Sequence, residues 1–99
     1  YGFLSAGLGA CTSMTMRMYA RRKGWPVTDI QVDVSHAKVH AKDAEEGSAS
    51  QKVDTFRREI RLSGDLTDEQ RDRLIEIADK CPVHKTLHQG NRIITETVE

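Results

Sequence analysis

The sequence has few aromatic residues, no net charge and no long apolar run, and each of these absences excludes a class of protein. Aromatic residues make up 5% of the 99 residues and all apolar residues together 37%, which is little at a length where folding buries only a modest share of the surface. The 15 basic and 15 acidic residues cancel, so no overall field attracts nucleic acid or an anionic membrane. We therefore predict one small domain whose core is completed by a partner subunit or by further sequence, with no nucleic-acid or membrane partner.

A membrane-spanning segment and a secreted disulfide framework are absent as well. The most apolar stretch, residues 4–19, contains Arg17 and is shorter than the roughly 20 residues that a spanning helix needs. Two cysteines, Cys11 and Cys81, are too few and too far apart for a disulfide framework. No signal peptide is visible, so we predict a cytoplasmic location. Because the chain starts at Tyr1, inside a helix-like pattern and without Met, we expect a piece of a longer protein.

Residues 3–23 have the pattern of a long helix. Small residues leave its backbone accessible, and each interior glycine costs about 1 kcal/mol relative to alanine, which indicates close packing against other elements. Basic residues at 21–23 suit the negative end of the helix dipole, and Gly24 and Pro26 end the helix. The residues at spacings of three and four, which predict one buried stripe, are Leu4, Leu8, Cys11, Thr15, Met18 and Arg22. We therefore predict a buried central helix that carries the Cys11 thiol.

Two strands are predicted to follow this helix. Alternating apolar and polar residues indicate a first strand over residues 27–41, and the shift of the apolar phase after Ser35 indicates a bulge or a change of the covered side. Residues 42–52 are polar and small, which is typical of a loop. Residues 53–62 predict a second strand, so the pair forms an antiparallel hairpin. The inward residues of the second strand are predicted to be Phe56, Ile60 and Leu62.

The C-terminal part of the chain predicts two helices and a closing strand. Thr67 begins a capping-box signature for a helix whose apolar stripe ends at Cys81. Pro82 is favoured at the first position of a helix and precedes a short helical segment over residues 83–88. Residues 92–98 alternate and are β-branched, which predicts a final strand. This order of elements indicates the α+β class, with an antiparallel sheet packed on the long helix.

The two cysteines are candidates for redox chemistry. Each lies on the inward face of a predicted helix, and Cys81 precedes Pro82 at a helix N-terminus, where free N–H groups and the dipole lower the pKa of a thiol. In such a pair, one thiolate attacks a peroxide, becomes a sulfenic acid and condenses with the second thiol into a disulfide. The alternative is that Cys11 is an inert core residue, because free cysteine is among the most buried residue types.

A metal site is a further alternative for the second cysteine segment. Cys81, His84 and His88 lie at i, i+3 and i+7, and one cysteine with two histidines is a possible zinc set with one open position. A proline interrupts this set and no carboxylate in the segment orients the ligands, so we predict no metal and no other cofactor. His36 and His40 are about 13 Å apart along a strand, too far to share an ion, and are predicted to be surface residues.

Residues 5–15, SAGLGACTSMT, and residues 81–87, CPVHKTL, are the two motifs of this sequence. The first resembles the central helix, with its peroxidatic cysteine, of the OsmC/Ohr family of osmotically inducible and organic hydroperoxide resistance proteins. The second resembles the second-cysteine signature of that family. The resemblance covers nearly the whole chain and implies a single OsmC-like α+β domain over residues 1–99, without its N-terminal strands. It also implies an intertwined homodimer built around paired central helices.

The resemblance further implies a thiol-dependent peroxidase that acts in the oxidative-stress response. Cys11 would attack an organic hydroperoxide, Cys81 would resolve the product as a disulfide, and a dithiol such as a lipoyl group would reduce that disulfide. Active members also use an arginine from an N-terminal strand and a glutamate ten residues before the first cysteine, where this chain has Tyr1. The alternatives are therefore a catalytically weak or inactive homodimer of this fold that binds a small ligand and, third, a metal-binding module.

Overall fold

A computed structural model describes residues 1–40 and 52–98 of the chain. Its elements, in order, are helix α1 (Gly2–Lys23), strand β1 (Val27–His40), strand β2 (Lys52–Gly64), helix α2 (Asp68–Ala78) and helix α3 (Pro82–His88). The two strands pair as an antiparallel sheet, and α1 packs against β1, α2 and α3. The predicted α+β class and hairpin are confirmed. Of the loop predicted over residues 42–52, residues 42–51 lie outside the described residues.

The buried face of α1 differs from the predicted stripe. The helix ends as predicted, because Gly24 adopts a left-handed φ of 73° after three basic residues. The residues that α1 buries, however, are Leu8, Thr12, Met16 and Ala20, at spacings of four. Of the predicted stripe only Leu8 is buried; Met18 is 66% exposed and Cys11 is only partly buried, so the rest of the predicted stripe is wrong. Apolar and small residues occur all around this helix, and their spacing therefore does not single out one face.

The hairpin keeps one register from Asp29, opposite Ser63, to the end of β1. The irregularity in this pairing lies before Asp29, so the bulge or change of side predicted after Ser35 is wrong. His36 continues the covered side, because it stacks on the Tyr1 ring at a centroid distance of 4.1 Å and also contacts the Phe56 ring. The prediction of a surface histidine at position 36 is therefore wrong as well, and the side chain of His40 lies outside what the structure describes.

The core lies between α1, the sheet and α2. It consists of Met16, Ala20, Ile30, Leu74 and Ala78. Ile60 and Leu62 pack against this cluster, as predicted for the inward side of β2. The helix and the sheet approach closely at Gly9, where an added Cβ would lie 3.3 Å from Val34 Cγ2. No helix within the described part of the chain is long and apolar enough to span a membrane.

The starts of both C-terminal helices are confirmed. Thr67 caps α2, and both reciprocal bonds of the capping box with Gln70 are present. Cys81 is the N-cap of α3, with Pro82 at the first position. The strand predicted over residues 92–98 is wrong, because that segment has no regular secondary structure. A strand needs a neighbour for its N–H and C=O groups, and in the described residues β1 and β2 pair only with each other.

Candidate functional site

The structure places Cys11 and Cys81 next to each other, as the sequence predicts. Cys11 is on α1 and Cys81 lies between α2 and α3, and the packing of α1 against α3 brings the two side chains within hydrogen-bond contact. Both are free thiols, and Cys81 is fully buried while Cys11 is partly exposed. The pair therefore combines one thiol that a substrate can reach with one that is enclosed by protein.

The hydrogen bonds around the pair distinguish the two thiols. Burial raises the pKa of Cys11, but hydrogen bonds, foremost that from the Cys81 thiol, together bring the pKa of Cys11 below its ordinary value. Burial raises the pKa of Cys81, and so does the hydrogen bond that it donates to Cys11, against weaker opposing bonds from the His84 N–H and the Thr12 hydroxyl. Cys11 is therefore the better thiolate, and Cys81 is the proton donor of the pair.

The start of α3 supplies one of these donors. Cys81 Sγ accepts a hydrogen bond from the His84 backbone N–H at 3.4 Å, in the position that a serine or aspartate oxygen takes at most helix N-termini. The first N–H groups of a helix have no partner within the helix. The proline at the first position and the cysteine before it thus place a sulfur where backbone donors are available.

Arg58 of β2 is a site residue that the sequence analysis missed. Its side chain is 13% exposed. Nη1 donates to Thr12 Oγ1 and to the Ala78 carbonyl oxygen, both at 3.0 Å. Nη2 donates to Asp79 Oδ1 at 2.8 Å and to His84 Nδ1 at 3.0 Å. Arg58 therefore joins α1, the end of α2 and the start of α3 beside the cysteine pair.

The sequence contains a signal for this arginine. Phe56, Ile60 and Leu62 are predicted to face inward, and residue 58 has the same parity in the strand, so it must face inward too. A charged side chain on a covered strand face requires partners. That requirement marks Arg58, rather than the outward Arg57, as a candidate for the site.

His84 is neutral in this arrangement. A guanidinium can only donate, so Nδ1 of His84 accepts from Arg58 and the ring proton is on Nε2. Burial lowers the pKa of His84, and the charge of Arg58 lowers it further. Nδ1 accepts from Arg58 and Nε2 carries the proton, so neither ring nitrogen of His84 is arranged to bind a metal ion together with Cys81 and His88. Among the described residues, no group of three or more His, Cys, Asp or Glu side chains could hold a metal ion.

A cleft of about 490 Å³ lies between α1 and α2. Thr15, which hydrogen-bonds to Cys11, lies in its wall. The apolar part of the wall is formed by Met18, Ile77 and Pro82, and the cationic part by Arg22, Arg73 and Lys80. The cleft is large enough and apolar enough for an organic molecule, and Thr15 connects its wall to Cys11.

Comparison with known proteins agrees with the fold. A family model described as OsmC-like protein matches residues 1–96. The chain is similar to the structure of an OsmC-like hydroperoxide resistance protein from Jannaschia sp. CCS1, with 29% identity and a TM-score of 0.65 over 89% of this chain and 58% of that chain. A search of curated proteins finds no match.

A second structure supports the fold alone. It is a protein from Psychrobacter arcticus 273-4 that is named for an osmotic stress and detoxification response, with 18% identity and a TM-score of 0.63 over 85% of this chain and 56% of that chain. The present chain thus spans less than two thirds of either relative. What those longer proteins do is therefore only a proposal for this chain.

Proposed function

Because this chain belongs to the OsmC-like protein family, we propose that it is a thiol peroxidase that reduces organic hydroperoxides through Cys11 and Cys81. The observation that carries this proposal is the hydrogen-bonded thiol pair, in which Cys11 is the more acidic and more exposed partner. An accessible thiolate can meet a peroxide, and an enclosed thiol beside it can form a disulfide without competition from other thiols. The description of the Jannaschia relative as a hydroperoxide resistance protein supports the same reaction.

The proposed reaction has two oxidation steps. The Cys11 thiolate attacks the outer peroxide oxygen and the O–O bond breaks, so the sulfur becomes a sulfenic acid and the alkoxide takes a proton from water to leave as an alcohol. Cys81 then loses its proton and attacks the Cys11 sulfur, and the hydroxide that leaves combines with that proton as water. A dithiol reductant of the lipoyl type restores both thiols and is itself oxidised to a disulfide.

The cleft beside Thr15 supports an organic substrate. Its apolar wall of Met18, Ile77 and Pro82 suits the organic group of an alkyl hydroperoxide, since burying each CH₂ group contributes about 0.8 kcal/mol. Hydrogen peroxide has no organic group that this wall could bury, so its binding gains no such free energy. We therefore propose organic hydroperoxides as the substrates and a role in the oxidative-stress response.

We also propose that the protein is a homodimer that pairs through α1. The side of α1 opposite its buried face carries small and apolar residues at spacings of three and four, namely Phe3, Gly7, Ala10, Met14 and Met18. Phe3 is 96% and Met14 62% exposed, and an added Cβ at Gly7 would meet nothing within 4 Å. Such a surface suits close packing of two helices. Pairing would also bury apolar area that one chain leaves exposed.

The proposed activity is tested by replacing the attacking thiol. The full chain is incubated with tert-butyl hydroperoxide and excess dithiol, and peroxide consumption is followed for the wild type, Cys11→Ser and Ser63→Ala, an exposed control on β2. We expect Cys11→Ser to reduce consumption to the rate without protein, because a serine hydroxyl is not nucleophilic enough to attack the peroxide. The control should consume peroxide like the wild type. Full turnover by Cys11→Ser would reject the proposal.

A further inference from the structure

A chain of hydrogen bonds leads from Arg58 to the cysteine pair. Arg58 Nη1 donates to Thr12 Oγ1 at 3.0 Å. Thr12 is fully buried, its hydroxyl is hydrogen-bonded to Cys81, and Cys81 is hydrogen-bonded to Cys11. Because a guanidinium only donates, Arg58 uses an acceptor position of the Thr12 oxygen and leaves the hydroxyl proton for the Cys81 sulfur. The direction of donation is therefore set from the arginine towards the thiols.

The orientation of Arg58 is fixed from its other sides. Besides Thr12, the guanidinium has three acceptors, which are the Ala78 carbonyl oxygen at 3.0 Å, Asp79 Oδ1 at 2.8 Å and His84 Nδ1 at 3.0 Å. A planar group with four acceptors in fixed directions has one favourable orientation. The bond from Arg58 to Thr12 is therefore held in place by groups at the end of α2 and the start of α3.

We propose that Arg58 is a positioning residue: by donating to Thr12, it directs the Thr12 hydroxyl at Cys81 and so prepares Cys81 as the resolving thiol. This inference rests on the proposed function, because it assigns Arg58 and Thr12 to the second oxidation step. In that step Cys81 loses its proton and attacks the sulfenic acid sulfur, and hydroxide leaves. The Thr12 hydroxyl and the His84 N–H donate to the Cys81 sulfur while it carries negative charge.

The elements next to Cys81 carry several charged or titratable groups. They are Cys11 on α1, Arg58 on β2, Asp79 and Lys80 at the end of α2, and His84 on α3. Burial raises the pKa of Cys81 and the Thr12 hydroxyl opposes that rise, so loss of the hydroxyl should raise the pKa further. Loss of Arg58 should act in the same direction, because the hydroxyl can then turn away from the sulfur. At any pH well below the pKa of Cys81, a rise of that pKa by about one unit leaves roughly tenfold less thiolate.

The test is a titration of Cys81 by the ultraviolet absorbance of its thiolate. The full chain carries Cys11→Ser, so that Cys81 is the single thiol. Thr12→Val removes the hydroxyl and keeps the shape, whereas Thr12→Ser keeps the hydroxyl. Arg71→Gln is the matched control, because Arg71 also donates to backbone oxygens around β2, at distances of 2.8 and 3.1 Å, but to none at the cysteines.

We expect Thr12→Val and Arg58→Gln each to raise the pKa of Cys81 by about one unit, and Thr12→Ser and Arg71→Gln to leave it close to the starting value. Arg58→Gln also removes a positive charge, so a double variant separates the two effects. If Arg58 acts through Thr12, then Arg58→Gln added to Thr12→Val causes no further shift. An unchanged pKa in folded Thr12→Val protein, or additive shifts in the double variant, would overturn the proposal. If Arg58→Gln does not fold, Arg58→Met, which has a similar length and no N–H donor, replaces it with the same expectation.

A second readout follows the resolving step itself. In chains that retain both cysteines, Thr12→Val and Arg58→Gln should slow formation of the Cys11–Cys81 disulfide by roughly tenfold and change the rate of Cys11 oxidation much less. Equal slowing of both steps would contradict a role in resolution. The titration needs no peroxide. A shifted pKa without peroxide reduction would therefore reject the proposed function and retain only the orientation of the Thr12 hydroxyl by Arg58. Peroxide reduction with an unshifted pKa would retain the proposed function and reject the role of Arg58.

Discussion

At the scale of single residues, the site depends on unequal hydrogen bonding of two chemically identical side chains. The bond between the thiols runs from Cys81 to Cys11, so it lowers the pKa of Cys11 and raises that of Cys81. Thr12 and His84 donate hydrogen bonds to the Cys81 sulfur, and the thiol proton of Cys81 therefore stays directed at Cys11. The proposed roles of an attacking and a resolving thiol therefore depend on the direction of one hydrogen bond.

Replacement of Cys81 by alanine should raise the pKa of Cys11. The Cys81 thiol is foremost among the hydrogen bonds that lower the pKa of Cys11, and without it the effect of burial, which raises that pKa, is less opposed. Alkylation by iodoacetamide follows the thiolate fraction, so the pH of half-maximal rate should move upward in Cys81→Ala. Cys81→Ser retains a hydroxyl donor and should shift it less. A downward shift in Cys81→Ala would contradict the direction of the hydrogen bond.

Sequence reasoning identified the two thiols but not the arginine that holds their surroundings. The cysteines are recognisable because their neighbours in the sequence form motifs. The partners of Arg58 are 46 positions away at Thr12 and 20 positions away at Ala78, and only the packing of three elements brings them together. Alternation along β2 could have placed Arg58 on the inward face, but it could not have named its acceptors.

At the scale of elements, the ends of helices were predictable and the buried face of α1 was not. The stop at Gly24, the capping box of Thr67 and the N-cap at Cys81 all depend on residues within one turn. The face that α1 buries depends on what packs against it. Likewise, the alternating residues 92–98 form a strand only if another strand pairs with them. Local chemistry therefore determines where the helices end. Tertiary context determines which face of α1 is buried and whether residues 92–98 form a strand.

The exposed face of α1 gives a prediction about assembly. Met14 lies opposite the buried face of this helix and is 62% exposed. If α1 pairs with its copy, Met14→Glu buries two unpaired carboxylates and should weaken the dimer by about 3 kcal/mol, more than a hundredfold in the dissociation constant. Sedimentation velocity over a concentration series measures this change.

Ile75→Glu is the control for assembly, because Ile75 is also apolar and 45% exposed but lies on α2. This variant should dimerise like the wild type. A wild-type chain that stays monomeric at every concentration would contradict pairing through α1. An equally tight dimer formed by Met14→Glu would also contradict it.

At the scale of the whole molecule, the described part of the chain is flat for its size. Its dimensions are 48 × 44 × 19 Å and its radius of gyration is 16.7 Å, against about 13 Å for a compact domain of 100 residues. The core is a single layer between α1, the sheet and α2, which agrees with the low apolar content of the sequence. The cysteine pair lies where α1 meets α3, so it is assembled from elements of one chain.

The roles of Cys11 and Cys81 are tested by a single-turnover oxidation. One equivalent of tert-butyl hydroperoxide is added to the fully reduced chain, and the products are identified by mass spectrometry after digestion. We predict one disulfide between Cys11 and Cys81 of the same chain for each alcohol released, and a Cys11 sulfenic acid as the product in Cys81→Ser. A protein in which Cys11 stays reduced while the peroxide is consumed, or in which disulfides form only between chains, would contradict these roles.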